Sequence, residues 1–390
     1  MHIFLYGGTV VIQNTDSQML LYRARLLLEE GENEAALSTL QDVRIENEMQ
    51  QRDVAYLLGW CYIQLKQWDD AIRTLSPLLE QSAHMTNQET LLERERLTLY
   101  LLRLGLAAVN LAHYEDAAHH FTICLKVLHD RRVHLPTVRV KARYYLAMTC
   151  VMRGFPAIAI QHYEDALRLC RHYHVDEALS HIYHGLCDAY RLTGDLVKAY
   201  NAGQEALRLY EQVGDRRMEA RMHNLLGRTR FLAGEYQQAA QHYETSLAIA
   251  VKNDGPTMAM VDCAALADLR LAEKQLKEAR RYCKLALQEM KRSDDAHMRG
   301  YTYQIIGKVA HEDAQQAEGK QRQQLLEEAV SWFEQARDQL AHTQAYPDMA
   351  ETLRNLAQTL EELGRVAEAI ECWRAGYEVL SRRKLPDRVL

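Results

Sequence analysis

Ala220 to Lys252 reads ARMHNLLGRTRFLAGEYQQAAQHYETSLAIAVK. Apolar and small residues recur every three to four positions on either side of Gly234-Glu235, the spacing that lines one face of an α-helix. Gly234 sits where a left-handed residue ends one helix, and Glu235 starts the next. The stretch is therefore two amphipathic helices joined by a tight turn. Leu226, Gly227, Ala239 and Tyr243 fall where the two helices pack closely.

The same pattern recurs along the chain. Its turn signatures are GENEAA (31–36), KQWDDA (66–71), AHYEDA (112–117), GFPAIA (154–159), GDLVKA (194–199), GEYQQA (234–239), KQLKEA (274–279) and GRVAEA (364–369). One further repeat has its alanine at Ala329. The signature alanines are Ala36, Ala71, Ala117, Ala159, Ala199, Ala239, Ala279, Ala329 and Ala369, at spacings of 35, 46, 42, 40, 40, 40, 50 and 40. Near-constant spacing defines a solenoid, in which each repeat buries its apolar face against its neighbours. The 390 residues exceed the usual size of one compact core, which agrees with an array.

Gly59, Gly105, Ala147, Cys187, Gly227, Ala267, Gly307 and Ala357 stand in the middle of the first helices. Phe121, Tyr163, Tyr243, Phe333 and Trp373 stand four residues after the signature alanine in the second. On these positions the chain resembles the tetratricopeptide repeat family over residues 18–381. Two helices cross closely only where one lacks a bulky side chain. Repeats 5 and 7 depart from the pattern, with Gly203 and Cys283 in the aromatic place, and the period is 40 instead of 34. Long-period arrays of this kind resemble those of bacterial peptide-sensing regulators and of scaffold proteins that orient cell division. The resemblance implies an all-α, right-handed superhelical solenoid of about nine helix-turn-helix repeats, with the first helices lining a concave groove.

In that family the second, fifth, ninth and twelfth places of each first helix point inward. Applied here, the register gives Lys141, Tyr144, Met148 and Val151 in repeat 4, and His181, His184, Asp188 and Arg191 in repeat 5. Repeat 6 gives Arg221, Asn224, Arg228 and Phe231. Repeat 8 gives Tyr301, Gln304, Lys308 and His311, and repeat 9 gives Glu351, Arg354, Gln358 and Glu361. Arginine holds a carboxylate through parallel hydrogen bonds, and asparagine offers a peptide backbone both a donor and an acceptor. The expected site for a peptide or partner segment is therefore Tyr144, His181, His184, Asp188, Arg191, Arg221, Asn224, Arg228 and Lys308. Arg230 and Arg270, at the ends of first helices, are expected to pair with acids such as Glu235 and Glu273.

Other classes fit less well. The formal net charge of −6 gives no basic footprint for direct nucleic-acid binding. No apolar run is long enough to span a membrane. Eight cysteines lie scattered without a Cys-x-x-Cys pair and mostly on buried helix positions, so reduced thiols and a cytoplasmic location are expected. His181 and His184 lie one turn apart, but only Asp188 offers a third ligand, and one helix alone seldom builds a metal site. No metal, cofactor or catalytic residue is expected, because no nucleophile elbow, zinc-helix or phosphate-loop motif occurs.

Residues 1–17 fit either a small hairpin around Gly7-Gly8 or a tail docked on its neighbour. Residues 81–89 read as a polar loop, residues 313–324 as a polar insertion, and 382–390 as a C-terminal tail. The resulting reading is an interaction scaffold or adaptor that takes a peptide in the concave groove, oligomeric or not. A second reading is a peptide-responsive regulator without its usual N-terminal effector domain. A third, a phosphatase-like or hydrolytic enzyme, has no motif behind it.

Overall fold

The computed structural model describes residues 13–83, 91–111, 113–129, 133–341, 343 and 345–381. All regular structure in them is helical. The array splits into two compact units, residues 1–138 and 139–390.

The N-terminal unit holds three helix hairpins. They are α1 (Gln13–Glu30) with α2 (Asn33–Gln41), α3 (Glu48–Gln64) with α4 (Trp68–Ala83), and α5 (Leu91–Asn110) with α6 (Tyr114–Leu128). The first helix begins at Gln13, inside the stretch read as a tail; residues 1–12, with the Gly7-Gly8 hairpin, lie outside the described residues, as do 84–90 and 382–390.

The C-terminal unit holds most of α7 (Pro136–Met152), then α8 (Pro156–Tyr173), α9 (Leu179–Thr193), α10 (Leu196–Val213), α11 (Arg216–Leu232) and α12 (Tyr236–Lys252). It continues with α13 (Pro256–Ala272), α14 (Leu276–Met290), α15 (Ala296–Gln315), α16 (Gly319–Leu340), α17 (Tyr346–Glu362) and α18 (Val366–Ser381). The turns follow the sequence signature. Gly194 and Gly234 adopt φ of +84° and +76°, and Lys274 takes the same place at +62° where the signature lacks glycine.

The small first-helix residues do what close crossing requires. A Cβ on Gly227 would lie 2.7 Å from the Tyr243 ring, and one on Gly307 would lie 2.6 Å from the Phe333 ring. In repeat 5 the roles change hands. Gly203 replaces the aromatic, and Leu226 of the next hairpin reaches to within 2.6 Å of where its Cβ would stand.

The insertion at 313–324 is mostly helix. It lengthens α15 and α16 and leaves only a short turn at 316–318. Its side chains seat on the end of α17, where Gln315 Nε2 donates to Glu362 Oε2 at 2.8 Å and Arg322 Nη2 donates to the same oxygen at 2.5 Å.

Successive first helices touch one another from α9 through α17, while no two successive second helices of this unit share a comparable contact among the described residues. The stack is therefore closed up along the first helices. Their free side chains form the inner face of the unit.

Candidate functional site

Four residues at the ninth place of successive first helices set the character of this face. Asp188, Arg228, Asp268 and Lys308 repeat at intervals of 40 and alternate in sign. They are spatial neighbours. Asp188 carries a bidentate contact from Arg191, with Nη2 at 2.6 Å and Nε at 3.2 Å. Burial opposes its charge, but Arg191 and Arg228 outweigh burial and hold the carboxyl below its usual range. Arg228 lies over the Tyr301 ring, 5.3 Å from its centroid. Asp268 is raised by burial, with Lys308 working against the shift. Lys308 Nζ also reaches Glu351 Oε1 at 3.0 Å. Below the ladder, His297 Nε2 lies 2.7 Å from Asp348 Oδ2.

Arg191, Arg228, Asp268, Tyr301, Gln304 and Lys308 line a cavity of about 240 Å³. Gln304 is 2% exposed, and its amide nitrogen has no hydrogen-bond partner. A buried donor without a partner costs about 1–3 kcal/mol.

The ladder runs on into an aromatic strip. His184 faces Asp188, and burial lowers its pKa to about 4, so the ring is neutral near pH 7 and its Nδ1 is unpartnered. Tyr210 Oη lies 3.0 Å from His181 Nδ1. The Tyr144 ring packs 6.1 Å from His181 and 6.0 Å from Tyr163. Arg221 is exposed and lies in the electrostatic field of Tyr210 and Tyr144. It also lines a larger cavity of about 400 Å³ at the rim, formed with Arg217, Asp254, Pro256 and Asp295.

Of the nine residues singled out in the sequence, Tyr144, His181, His184, Asp188, Arg191, Arg221, Arg228 and Lys308 lie in one chain of neighbouring side chains. Asn224 is placed differently. It is 6% exposed, and its Nδ2 donates to Asp262 Oδ1 at 2.7 Å, so its amide nitrogen is spent inside the protein. The residues sequence reasoning passed over are Asp268, Tyr210, His297 and Asp348. Asp268 carried a signal, since it stands midway between Arg228 and Lys308 in the same register. Arg230 and Arg270 pair as expected, with Glu235 and Glu273, at 2.7 and 2.6 Å.

No helix among the described residues is long and apolar enough to cross a membrane. Seven of the eight cysteines are buried, and none is in a disulfide.

Residues 138–212 and 178–250 match the tetratricopeptide repeat, and residues 27–93 match a second tetratricopeptide repeat family. The chain thus carries tetratricopeptide repeats over residues 27–93 and 138–250. Its fold is that of a Rap protein and of the quorum sensor NprR. A Rap protein complexed with Competence and Sporulation Factor superposes with a TM-score of 0.66 at 14% identity, over 95% of this chain and 100% of that one. The apo form of the quorum sensor NprR from B. thuringiensis gives 0.64 at 16% identity, over 94% and 99%. Aspartyl phosphate phosphatase F from Bacillus subtilis gives 0.57 at 11% identity, over 98% of each. No curated protein matches the chain.

Proposed function

We propose that the inner face of the C-terminal unit binds a short peptide or an extended partner segment, and that the protein is a cytoplasmic peptide-responsive regulator or adaptor. The observation that carries this reading is the cavity beside Arg228 and Lys308, whose lining of alternating charges also includes Tyr301 and buried Gln304. An extended backbone supplies carbonyl acceptors at regular intervals, which suits an inner face with a periodic row of polar groups. The alternating ladder favours a ligand that carries both charge signs over a purely acidic or basic one, because every charge on the wall already has an opposite neighbour.

The fold adds support. NprR, which shares it at a TM-score of 0.61 and 16% identity, has been solved in complex with its cognate peptide NprX. Recognition fits the side chains of the ladder, in which each carboxylate is matched by a cation. Exposing the purified chain to a pooled library of short peptides, with retained peptides read by mass spectrometry, tests the reading. Enrichment of a defined sequence family supports it, and an unenriched pool overturns it.

A further inference from the structure

Two histidines tie α17 to α15. His297 Nε2 lies 2.7 Å from Asp348 Oδ2, and His311 Nε2 lies 2.9 Å from Glu362 Oε1. Each pair spans 51 residues of chain, so the two rungs are in register along both helices. The rungs differ in what else holds them. Glu362 also accepts from Gln315 at 2.8 Å and from Arg322 at 2.5 Å, so a permanent cation keeps that carboxylate in place whatever the state of His311. Asp348 has no hydrogen-bond partner but His297 among the described residues. Its other charged neighbours are Arg228 of α11 and Arg191 of α9, and His297 itself stands in the field of Asp348, Asp295 and Arg228. Asp348 also lines the cavity of about 240 Å³. That wall carries three cations, Arg191, Arg228 and Lys308, and three carboxylates, Asp268, Asp348 and Glu351. A proton on His297, in contact with the wall through Asp348, therefore decides whether the site has a positive excess.

We propose that His297 is a proton-operated clasp on the ligand site. Charged, it holds the first turn of α17 on α15 and gives the cavity a positive excess, which favours an acidic ligand group. Neutral, it keeps a weaker bond to Asp348 and leaves the wall balanced. The far rung, fixed by Arg322, stays closed in both states, so the effect is confined to the Asp348 end. The surroundings set the direction. Burial opposes charge on His297, but its bond to Asp348 and the fields of Asp348 and Asp295 outweigh burial and Arg228, and they raise its pKa above the ordinary value. The charged clasp is thus complete below about pH 6.5 and is lost as pH rises through the folded value. The ligand part of this proposal rests on the peptide reading, and the clasp itself does not.

A double-mutant cycle on the full chain tests the clasp without any ligand. Unfolding constants of the wild type, His297→Asn, Asp348→Asn and the double variant are measured by urea denaturation at about pH 5.5 and about pH 8.5, on either side of histidine titration. Titration elsewhere is common to all four chains and cancels. The coupling between the two residues should be about tenfold at the lower pH and about twofold or less at the higher. Equal coupling at both, or none at either, overturns the proposal. The ligand part is read from the pooled peptide library at the same two pH values. Peptides retained at the lower pH should be richer in Asp and Glu, and His297→Asn should remove the difference. Pools of the same composition at both, or a difference that survives His297→Asn, overturn that part. A pool enriched at neither pH overturns the peptide reading, and the cycle then decides the clasp by itself.

Discussion

Asn224 on α11 donates its side-chain amide to Oδ1 of Asp262 on α13 at 2.7 Å, and neither side chain reaches solvent to any extent. The other carboxyl oxygen, Oδ2, lies 2.6 Å from Ser246 Oγ, which is also 2.8 Å from the Ala220 carbonyl oxygen. Serine has one hydroxyl hydrogen, and both of these partners are acceptors when the carboxyl is ionised. One contact must then be made by a proton on Asp262 itself. Burial accordingly pushes its pKa up to about 8, with the bonds from Ser246 and Asn224 opposing the shift. The folded value lies above the ordinary one. The stability this group contributes is therefore full below about pH 4 and declines towards pH 8, at about 1.4 kcal/mol per pH unit. Asp262→Asn keeps the shape and supplies the hydrogen permanently. We expect it to raise the melting temperature at pH 8 and to flatten the fall between pH 5 and 8, as read by thermal denaturation across that range. Asn224→Ala, by the same geometry, should lower stability as well as any binding.

Arg228 lies over the Tyr301 ring and in the electrostatic field of two acids, Asp188 and Asp348. Removing one partner of a desolvated set leaves the remaining charges unmatched, which typically costs about 3 kcal/mol. Arg228→Met is expected to lose about that much in denaturant unfolding. Arg228→Met combined with Asp188→Asn should lose less than the single change, since it removes a charge of each sign. A double variant as weak as the sum of the two singles would mean the ladder is not coupled.

Gly227 has no room for a side chain against Tyr243. Gly227→Leu should cost about 1–3 kcal/mol or more through overpacking. A shallow loss, below about 0.5 kcal/mol, would mean that the hairpin can open at this crossing.

Lys274 closes the turn between α13 and α14 at φ +62°, in the place that Gly234 fills in the preceding repeat. A side chain there costs about 1–2 kcal/mol, against about 0.5–1 kcal/mol of extra chain entropy for glycine. Lys274→Gly should therefore gain up to about 1 kcal/mol, seen as a small rise in melting temperature.

Much of this was open to view in the sequence. The forty-residue period located the hairpins, and the glycines at 105, 227 and 307 announced their crossings with Phe121, Tyr243 and Phe333. Register also placed Asp188, Arg228 and Lys308 on one face. It failed at Asn224, because what turns that amide inward is Asp262, a residue outside the inward-facing places. His297 and Asp348 were missed for a similar reason, since both sit in the first turn of their helices and meet across 51 residues of chain. The polar composition of 313–324 resembled a loop, yet its helices are held by contacts to Glu362 that only the tertiary fold supplies.

The central claim is that the inner face of the C-terminal unit holds a peptide. The most direct measurement is calorimetric titration of a library-selected peptide into the wild-type chain and into Arg221→Glu, an exposed change at the edge of that face. The account predicts saturable one-site binding to the wild type and a loss of about tenfold or more in the variant, with its melting temperature unchanged. Equal affinity for both chains, or loss of binding only in step with loss of stability, would contradict it.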